Sequence, residues 1–467
     1  MKNQKKYNTF RLTFPEFVYE SYHYDVQPDG LHIGFLFKLN EQLQFRPTAF
    51  IPNRPFLRFD QPRQWLDLLV FNIGMIELIS YWKCVCPPVV RVKCGALDKI
   101  QIDFWKKIYY NGLGEFFYTN GISASQDDFM HIVADGPMLS VSDDKSTLHL
   151  DDAYLVPVGG GKDSVVTLES LPQGRPLIMN PRGATIACAE VAGYALDQVL
   201  VIRRSIDSLL LDLNAKGCLN GHTPFSAMLA FHSLLAMLLS GSRNVALSNE
   251  NSANESTVLG TSVNHQYSKS YEFEQDFRTY VSEYISPRFN YFSFLRPLSE
   301  LQIAMLFSGY ERYFSVFRSC NVGSKQDIWC GHCAKCLFAY IILSPFIPPQ
   351  QLNAVFGKPM LDDTSLQREF DELTGRLDVK PFECVGTVDE VNTALSMTLS
   401  RWYAQGDVPA LLRGYQPAKQ CVSLVETNDE NNLSDNEMKI LNMALSSRWA
   451  ELSHGDGSFS HDVLNNQ

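Results

Sequence analysis

Three consecutive glycines, Gly159, Gly160 and Gly161, lie between an apolar run, Val156-Pro157-Val158, and the charged pair Lys162-Asp163, with Ser164 next. Glycines let a backbone turn tightly and aim several N–H groups at one anion, and a helix starting near Asp163-Ser164 adds its positive dipole end. The pattern predicts a phosphate cradle in which Lys162 supplies a point charge, Asp163 a ligand for Mg²⁺ and Ser164 a hydroxyl. It is not the G-x-x-x-x-G-K-[ST] loop, because Lys162 follows three adjacent glycines and precedes an acid. A second constellation lies downstream: Cys320, Cys330, Cys333 and Cys336 follow C-x9-C-x2-C-x2-C. Four thiolates at that spacing can close a tetrahedron around Zn²⁺ in a structural site, and His332 between them then finds no vacancy. A redox C-x-x-C and an iron–sulfur cluster are the competing readings.

The glycine loop resembles the SGGxDS loop of the ATP pyrophosphatases, the PP-loop family, which split ATP between the α and β phosphates and usually leave AMP on the substrate. Gly159 stands where that family usually has Ser, which removes one hydroxyl contact. The cysteine pattern downstream resembles the zinc site of the 7-cyano-7-deazaguanine synthases. Together the two likenesses imply ATP as co-substrate at Gly159, Gly160, Gly161, Lys162, Asp163 and Ser164, Mg²⁺ on Asp163, and structural Zn²⁺ on the four cysteines.

The intervening segments narrow the resemblance. Tyr110-Asn-Gly-Leu-Gly-Glu-Phe-Phe-Tyr-Thr-Asn-Gly121, Leu219-Asn-Gly-His-Thr-Pro224, Val263-Asn-His-Gln-Tyr-Ser-Lys-Ser270, Leu295-Arg-Pro-Leu-Ser-Glu300 and Lys380-Pro-Phe-Glu-Cys-Val-Gly386 resemble the UDP-N-acetylmuramoyl-L-alanyl-L-glutamate epimerases, the MurL family. The likeness runs from Tyr110 to Gly386 and more weakly back to Phe10. It implies inversion of the terminal L-glutamate of a UDP-muramoyl dipeptide to D-glutamate, for peptidoglycan synthesis. A carboxylate resists loss of its α-proton because a second negative charge forms beside the first, whereas an acyl-adenylate delocalises the carbanion as an enolate. Adenylation by ATP, with release of pyrophosphate and later AMP, is therefore the expected mechanism.

Inversion requires acid and base function on both faces of the carbon. His222, His265, Lys269 and Cys384 are the candidates; His265 and Lys269 would share a face if their segment were helical. Each read alone is as well explained as a capping residue, a polar loop residue or a packed thiol. Arg182, Arg203, Arg204 and Arg296 are candidate clamps for the diphosphate or the glutamate carboxylates, and Glu250 follows an apolar strand and so could face the nucleotide or metal. Glu115, between aromatics, marks a candidate substrate loop. Other PP-loop enzymes often carry a lysine shortly after a strand-ending proline, but here Pro297-Leu-Ser is followed by Glu300, so that phosphate contact must come from elsewhere. Two other readings share the motifs: a PP-loop ligase or amidating enzyme acting on a small carboxylate, and a noncatalytic nucleotide-binding zinc scaffold.

Positioning these residues requires a sheet. After Asp152, strands alternate with helices: Tyr154–Val158, a helix from Asp163, Leu177–Met179, a helix Thr185–Leu196, Val199–Ile202, a helix from Pro224 capped by Thr223, and Val245–Leu247. That order predicts an α/β fold with a parallel sheet, and ligands in such sheets sit beyond the carboxyl ends of the strands. Pro157 is awkward inside a central strand. From Tyr7 to Pro52 short alternating runs predict strands and hairpins, and Trp65–Trp82 and Lys99–Tyr110 predict helices. The expected organisation is an N-terminal α+β module over 1–150 and a PP-loop (adenine nucleotide alpha hydrolase-like) domain over 151–420 that includes the zinc knuckle 320–336. A tail over 421–467 follows, with a short helix from the Ser434–Glu437 capping box to about Leu452.

The 467 residues, 45% hydrophobic and 12% aromatic, suffice for substantial cores. Asp67, Asn72 and Glu77 make Trp65–Trp82 a buried helix rather than a membrane span. No long apolar run follows the basic start, so the expected compartment is the cytoplasm, where eleven cysteines read as thiols or metal ligands. Of the net charge of −11, the segment from Leu424 onward carries −6, eight acids against Lys439 and Arg448. The remainder shows no basic stripe, which argues against a nucleic-acid partner.

Overall fold

The computed structural model describes residues 3–141, 148–171, 173–258, 261, 263–404, 406–416 and 422–455. Cys421 and the tail acids Asp456 and Asp462 lie outside them. The strands are β1 (Glu16–Gln27), β2 (Gly30–Lys38), β3 (Gln44–Phe45), β4 (Thr48–Pro52), β5 (Val89–Val92), β6 (His131–Ala134), β7 (Asp151–Pro157), β8 (Arg175–Met179), β9 (Leu200–Ser205), β10 (Ser242–Leu247) and β11 (Asn290–Ser293). They form one sheet in the order β11-β10-β7-β8-β9-β4-β2-β1-β5-β6, with β3 on β2.

The fold is mixed α/β around this large sheet. From β11 to β9 every pairing is parallel, as the strand–helix alternation predicts. The antiparallel pair β4–β9 carries the sheet into the N-terminal β1–β2 hairpin. Residue 150 therefore falls between β6 on one edge and β7 in the interior of a continuous sheet. In the parallel half the chain runs β7, β8, β9 one way and returns to β10 and β11 on the other side of β7. The crevice between β7 and β10 is the topological switch point, and the glycine loop leaves β7 there. Pro157 ends β7 without disturbing it: the next N–H, of Val158, donates to Leu177 O at 2.9 Å.

The helix Arg63–Trp82 is the one helix among the described residues long and apolar enough to cross a membrane, but 94% of its apolar window is buried inside the fold. It packs against the helix Phe225–Ser240, and its polar residues are matched within the core. Asn72 accepts from Tyr280 Oη at 2.7 Å, and Glu77 receives two hydrogen bonds of 2.7 Å from Arg204.

Several local expectations are corrected. Gln4–Thr13 is a helix rather than part of a strand, docked by Arg11, which donates to Cys86 O at 3.0 Å and Phe129 O at 2.7 Å. Tertiary contacts outweigh the short alternating pattern there. Thr223 does not cap the following helix: Pro224 occupies the cap position, and the Thr223 hydroxyl instead accepts from the buried Lys83 ammonium. The helix after β8 ends at Val191, and Leu196–Gln198 is a separate 3₁₀ turn. The C-terminal helix spans Asp435–Gly455, begins at the Ser434–Glu437 capping box, and packs on the helix Glu300–Phe307.

Candidate active site

Beyond the carboxyl ends of β7 and β10 lies a cavity of about 570 Å³. Its wall includes Gly159, Gly161, Asp163 and Ser164 on one side and His222, His265, Lys269 and Cys384 on another. The glycine loop and all four acid–base candidates thus share one chamber, although they come from four separate segments of chain.

Gly160 has φ +83°, and a Cβ there would stand 3.2 Å from the Ala184 backbone, so the tight turn requires glycine. A Cβ on Gly159 would meet nothing within 4 Å, which leaves room for a ligand against the backbone. The helix Lys162–Ser170 starts at Gly161 and directs its first turn at the cavity. Ser164 Oγ donates to Gly161 O at 3.0 Å. Lys162 is placed differently from the phosphate contact expected of it: its ammonium is buried under the loop, bonded to both Asp163 and Glu300. Burial pushes the Glu300 carboxyl up despite the Lys162 charge, and the Asp163 and Glu250 charges push it further. Burial acts the same way on Asp163, but the charges of Lys162, Lys335 and Lys269 outweigh it and hold that carboxyl below its ordinary range. Of the two carboxyls bonded to Lys162, Asp163 is the one at the cavity wall.

Glu115, on the helix Gly114–Asn120, faces two imidazoles. Its Oε2 lies 2.5 Å from His265 Nδ1 and 3.3 Å from His222 Nδ1, with the two rings 4.5 Å apart. The 2.5 Å contact is a hydrogen bond in this structure, and the three ligand atoms of Glu115, His222 and His265 all lie within 4.8 Å of one another. His265 and Cys384 line the same cavity wall, close enough for each to shift the other's protonation. Burial alone would raise that thiol, yet the Lys269 charge, the His265 bond and the Lys335 charge bring it down to about 6. Burial alone would lower His265, yet its bonds to Cys384 and Glu115 lift it to about 9. His222 moves the other way, down to about 4, through burial and then the neighbouring His265 charge. Cys384 and His265 therefore form a thiolate–imidazolium pair, with His222 neutral beside it. His265 and Lys269 do not share a helix face, since only Tyr267–Lys269 makes a 3₁₀ turn; the loop path brings both to the cavity.

The predicted arginines divide. Arg182 lines the cavity, while Arg203 is exposed on β9. Arg204 is committed to Glu77, and Arg296, 0% exposed, donates to Glu250 O at 2.6 Å, Lys269 O at 2.5 Å and Glu274 Oε2 at 3.3 Å. Neither can clamp a substrate: both guanidiniums are occupied by buried acids and carbonyls. Glu250 is buried at 3% exposure, behind the cavity wall and near Glu300. Because Arg296 fixes the backbone of Lys269 and Glu250 together, Arg296→Met is expected to cost about 3–5 kcal/mol in urea unfolding, by leaving Glu274 unpaired in the core.

Sequence reasoning missed Lys335 and Arg318, which both line the cavity. Lys335 sits between two knuckle cysteines, and its ammonium donates to the Cys384 carbonyl. The signal was present in Cys333-Ala-Lys-Cys336, a cation held rigidly by neighbouring ligands. The four knuckle sulfurs lie within 4.8 Å of one another, with Sγ–Sγ separations of 3.9, 3.7 and 3.5 Å for Cys320–Cys333, Cys330–Cys336 and Cys333–Cys336. Thiolates about 2.3 Å from a tetrahedral metal stand about 3.8 Å apart. The donor set fits zinc. The segment also backs the glycine loop: Arg318 N donates to Gly160 O at 2.7 Å, and Asp327 accepts from Gly183 N and Ala184 N at 2.9 and 3.1 Å.

A glycine loop at a helix N-terminus and the Glu115, His222, His265 and Cys384 side chains meet at one chamber at the switch point of an α/β sheet. Comparison with known proteins specifies the family. The MurL N-terminal domain family matches residues 8–294 and the MurL C-terminal domain family residues 314–420. The UDP-N-acetyl-alpha-D-muramoyl-L-alanyl-L-glutamate epimerase of Xanthomonas oryzae pv. oryzae is 35% identical over 384 residues, covering 79% of this chain and 83% of that protein. The enzymes of the same name from a Micromonospora species and Salinispora tropica are 35% and 32% identical, covering 71% and 82% of this chain and 76% and 84% of theirs. No solved structure matches the chain. The chain belongs to the MurL family and is an isomerase of the epimerase class.

Proposed function

We propose that this enzyme inverts the terminal L-glutamate of UDP-N-acetylmuramoyl-L-alanyl-L-glutamate, in peptidoglycan precursor synthesis, through an acyl-adenylate made from ATP by PP-loop chemistry. The observation that carries this reading is that Gly159, Gly161, Asp163 and Ser164 line one cavity together with His265, Lys269, Lys335 and Cys384. A group transferred at the glycine loop therefore lies within side-chain reach of the proton-transfer pair. A glutamyl carboxylate that attacks the ATP α-phosphorus at the loop brings its own α-carbon, one bond away, toward Cys384 and His265.

In this mechanism the backbone N–H groups of Gly159–Gly161 and the first turn of the Lys162–Ser170 helix receive the leaving pyrophosphate. Lys269 and Lys335 offset its charge from the cavity wall, and Asp163 is the residue to hold Mg²⁺, whose chemistry is to neutralise phosphate oxygens. Water then releases AMP from the inverted product. Cys320, Cys330, Cys333 and Cys336 would hold a structural zinc that fixes the backing of the loop.

Incubation with ATP, Mg²⁺ and UDP-N-acetylmuramoyl-L-alanyl-L-glutamate in D₂O is expected to yield AMP, pyrophosphate and a D-glutamyl product carrying one deuteron at the α-carbon. AMP without inversion, or an amide when ammonia is present, would move the chain to another PP-loop ligation. Inversion without AMP would remove adenylation from the mechanism.

A further inference from the structure

We propose that Cys384 Sγ and His265 Nε2 are the two proton-transfer groups of the inversion, one for each face of the glutamate α-carbon, with Glu115 as the positioning residue that holds His265. The assignment rests on the adenylation reading above.

Two-group inversion has a strict requirement: one group must stand ready to accept a proton while the other stands ready to give one. The Cys384–His265 pair meets it in a single arrangement. Glu115 Oε2 takes His265 Nδ1 at 2.5 Å, which leaves Nε2 as the free ring nitrogen of a residue that shares the cavity with Cys384. On the other side Lys269, and behind the backbone Lys335, keep the sulfur in the charged form. The other two candidates are less suited. His222 is neutral and has Glu115 on its Nδ1, so it packs the far side of the dyad. Lys269 is held well above its ordinary range by the Cys384, Glu250 and Asp163 charges, which outweigh its burial, so it is a fixed cation rather than a donor.

The step balances without an added redox partner. The α-carbon of the acyl-adenylate enters the cavity between the two groups. Sγ takes the α-proton, and the C–H electron pair moves into the acyl carbonyl as an enolate. Nε2–H then delivers its proton to the opposite face as the carbonyl reforms. A thiol and a neutral imidazole remain, and exchange with solvent restores the starting pair. The reverse reaction uses the same groups with roles swapped.

The groups facing Cys384 are His265, Lys269, Lys335 and the adjacent Glu383; those facing His265 are Glu115, His222 and Cys384. Below about 6 the sulfur gains a proton and the base is lost; above about 9 the ring loses one and the acid is lost. The inversion rate is expected to fall about tenfold per pH unit on either limb. Glu115→Gln should move the upper limb to lower pH, an effect that a merely structural role would not produce.

The decisive experiment compares wild type, Cys384→Ala, Cys384→Ser and His265→Gln with each epimer of the dipeptide substrate, ATP and Mg²⁺ in D₂O, following inversion and α-deuterium by chirality analysis and mass spectrometry. Circular dichroism shows which variants are folded. Inversion should fall by about 10³-fold or more in each variant. The surviving group should still exchange the α-proton of one epimer, and the epimer exchanged by the Cys384 variants should be the opposite of the one exchanged by His265→Gln. Inversion within tenfold of wild type in a Cys384 variant, exchange of the same epimer by both kinds of variant, or no exchange by folded variants would overturn the assignment. Wild type that fails to invert would overturn the adenylation reading instead, and is measured first.

Discussion

Lys335→Met is expected to lower AMP formation by about 10²–10³-fold, the loss typical of removing one charge-stabilising donor, while zinc content stays unchanged and the melting temperature falls only slightly. The effect traces to Glu300. An acid in that position pairs with Lys162 beneath the glycine loop and takes it away from the cavity. The lysines left on the wall are Lys269 and Lys335. Lys269 lies beside Cys384, so Lys335 is the lysine that the proposed mechanism leaves for pyrophosphate, with Arg182 and Arg318 on the same wall. Methionine preserves the apolar stem, and the lost hydrogen bond to the Cys384 carbonyl costs only about 1 kcal/mol.

Lys162→Met should behave in the opposite way. Removing the cation that pairs with buried Glu300 and with Asp163 at the cavity wall costs about 3–5 kcal/mol, visible as a lower urea midpoint. Adding Glu300→Gln removes the more deeply buried of the two acids left without Lys162 and should restore part of that stability. If the double variant forms AMP within about tenfold of wild type, the role of Lys162 is to carry Asp163; a loss as large as that of Lys335→Met would return Lys162 to the phosphate and refute the division argued here.

How much of this was legible in the chain depended on distance along it. The glycine loop and the knuckle are local, so spacing alone exposed them. The parallel half was also legible, because strand–helix alternation is written residue by residue. Convergence is not written that way. His222, His265 and Cys384 each looked like ordinary loop residues, and only the fold brings them onto one wall. The Lys162–Glu300 pair spans 138 positions, and no local pattern signals it. The arginines show the converse error. Arg204 and Arg296 have the chemistry of a carboxylate clamp, but burial beside Glu77 and Glu274 uses it internally. Side-chain chemistry proposed the roles, and burial decided which residues could fill them.

The second large effect is expected from the knuckle. Metal analysis of the intact protein is expected to find about one zinc per chain, and Cys336→Ser should remove it and lower stability by on the order of 5 kcal/mol or more, since binding of a structural metal adds directly to folding free energy. It should also abolish AMP formation, and the reason is mechanical. Cys336 lies 0% exposed in the helix Ala334–Leu343, which carries Lys335. The segment leading into it holds Gly160 through Arg318 and caps the Gly183–Val191 helix through Asp327. Loosening the cysteines therefore releases one side of the glycine loop and the lysine opposite it together. Activity and stability should fall in parallel across Cys320, Cys330, Cys333 and Cys336 variants, in contrast to Lys335→Met, where activity falls alone. Iron in place of zinc on metal analysis, or a cysteine variant that loses metal but still releases AMP, would defeat the coupling of knuckle to loop.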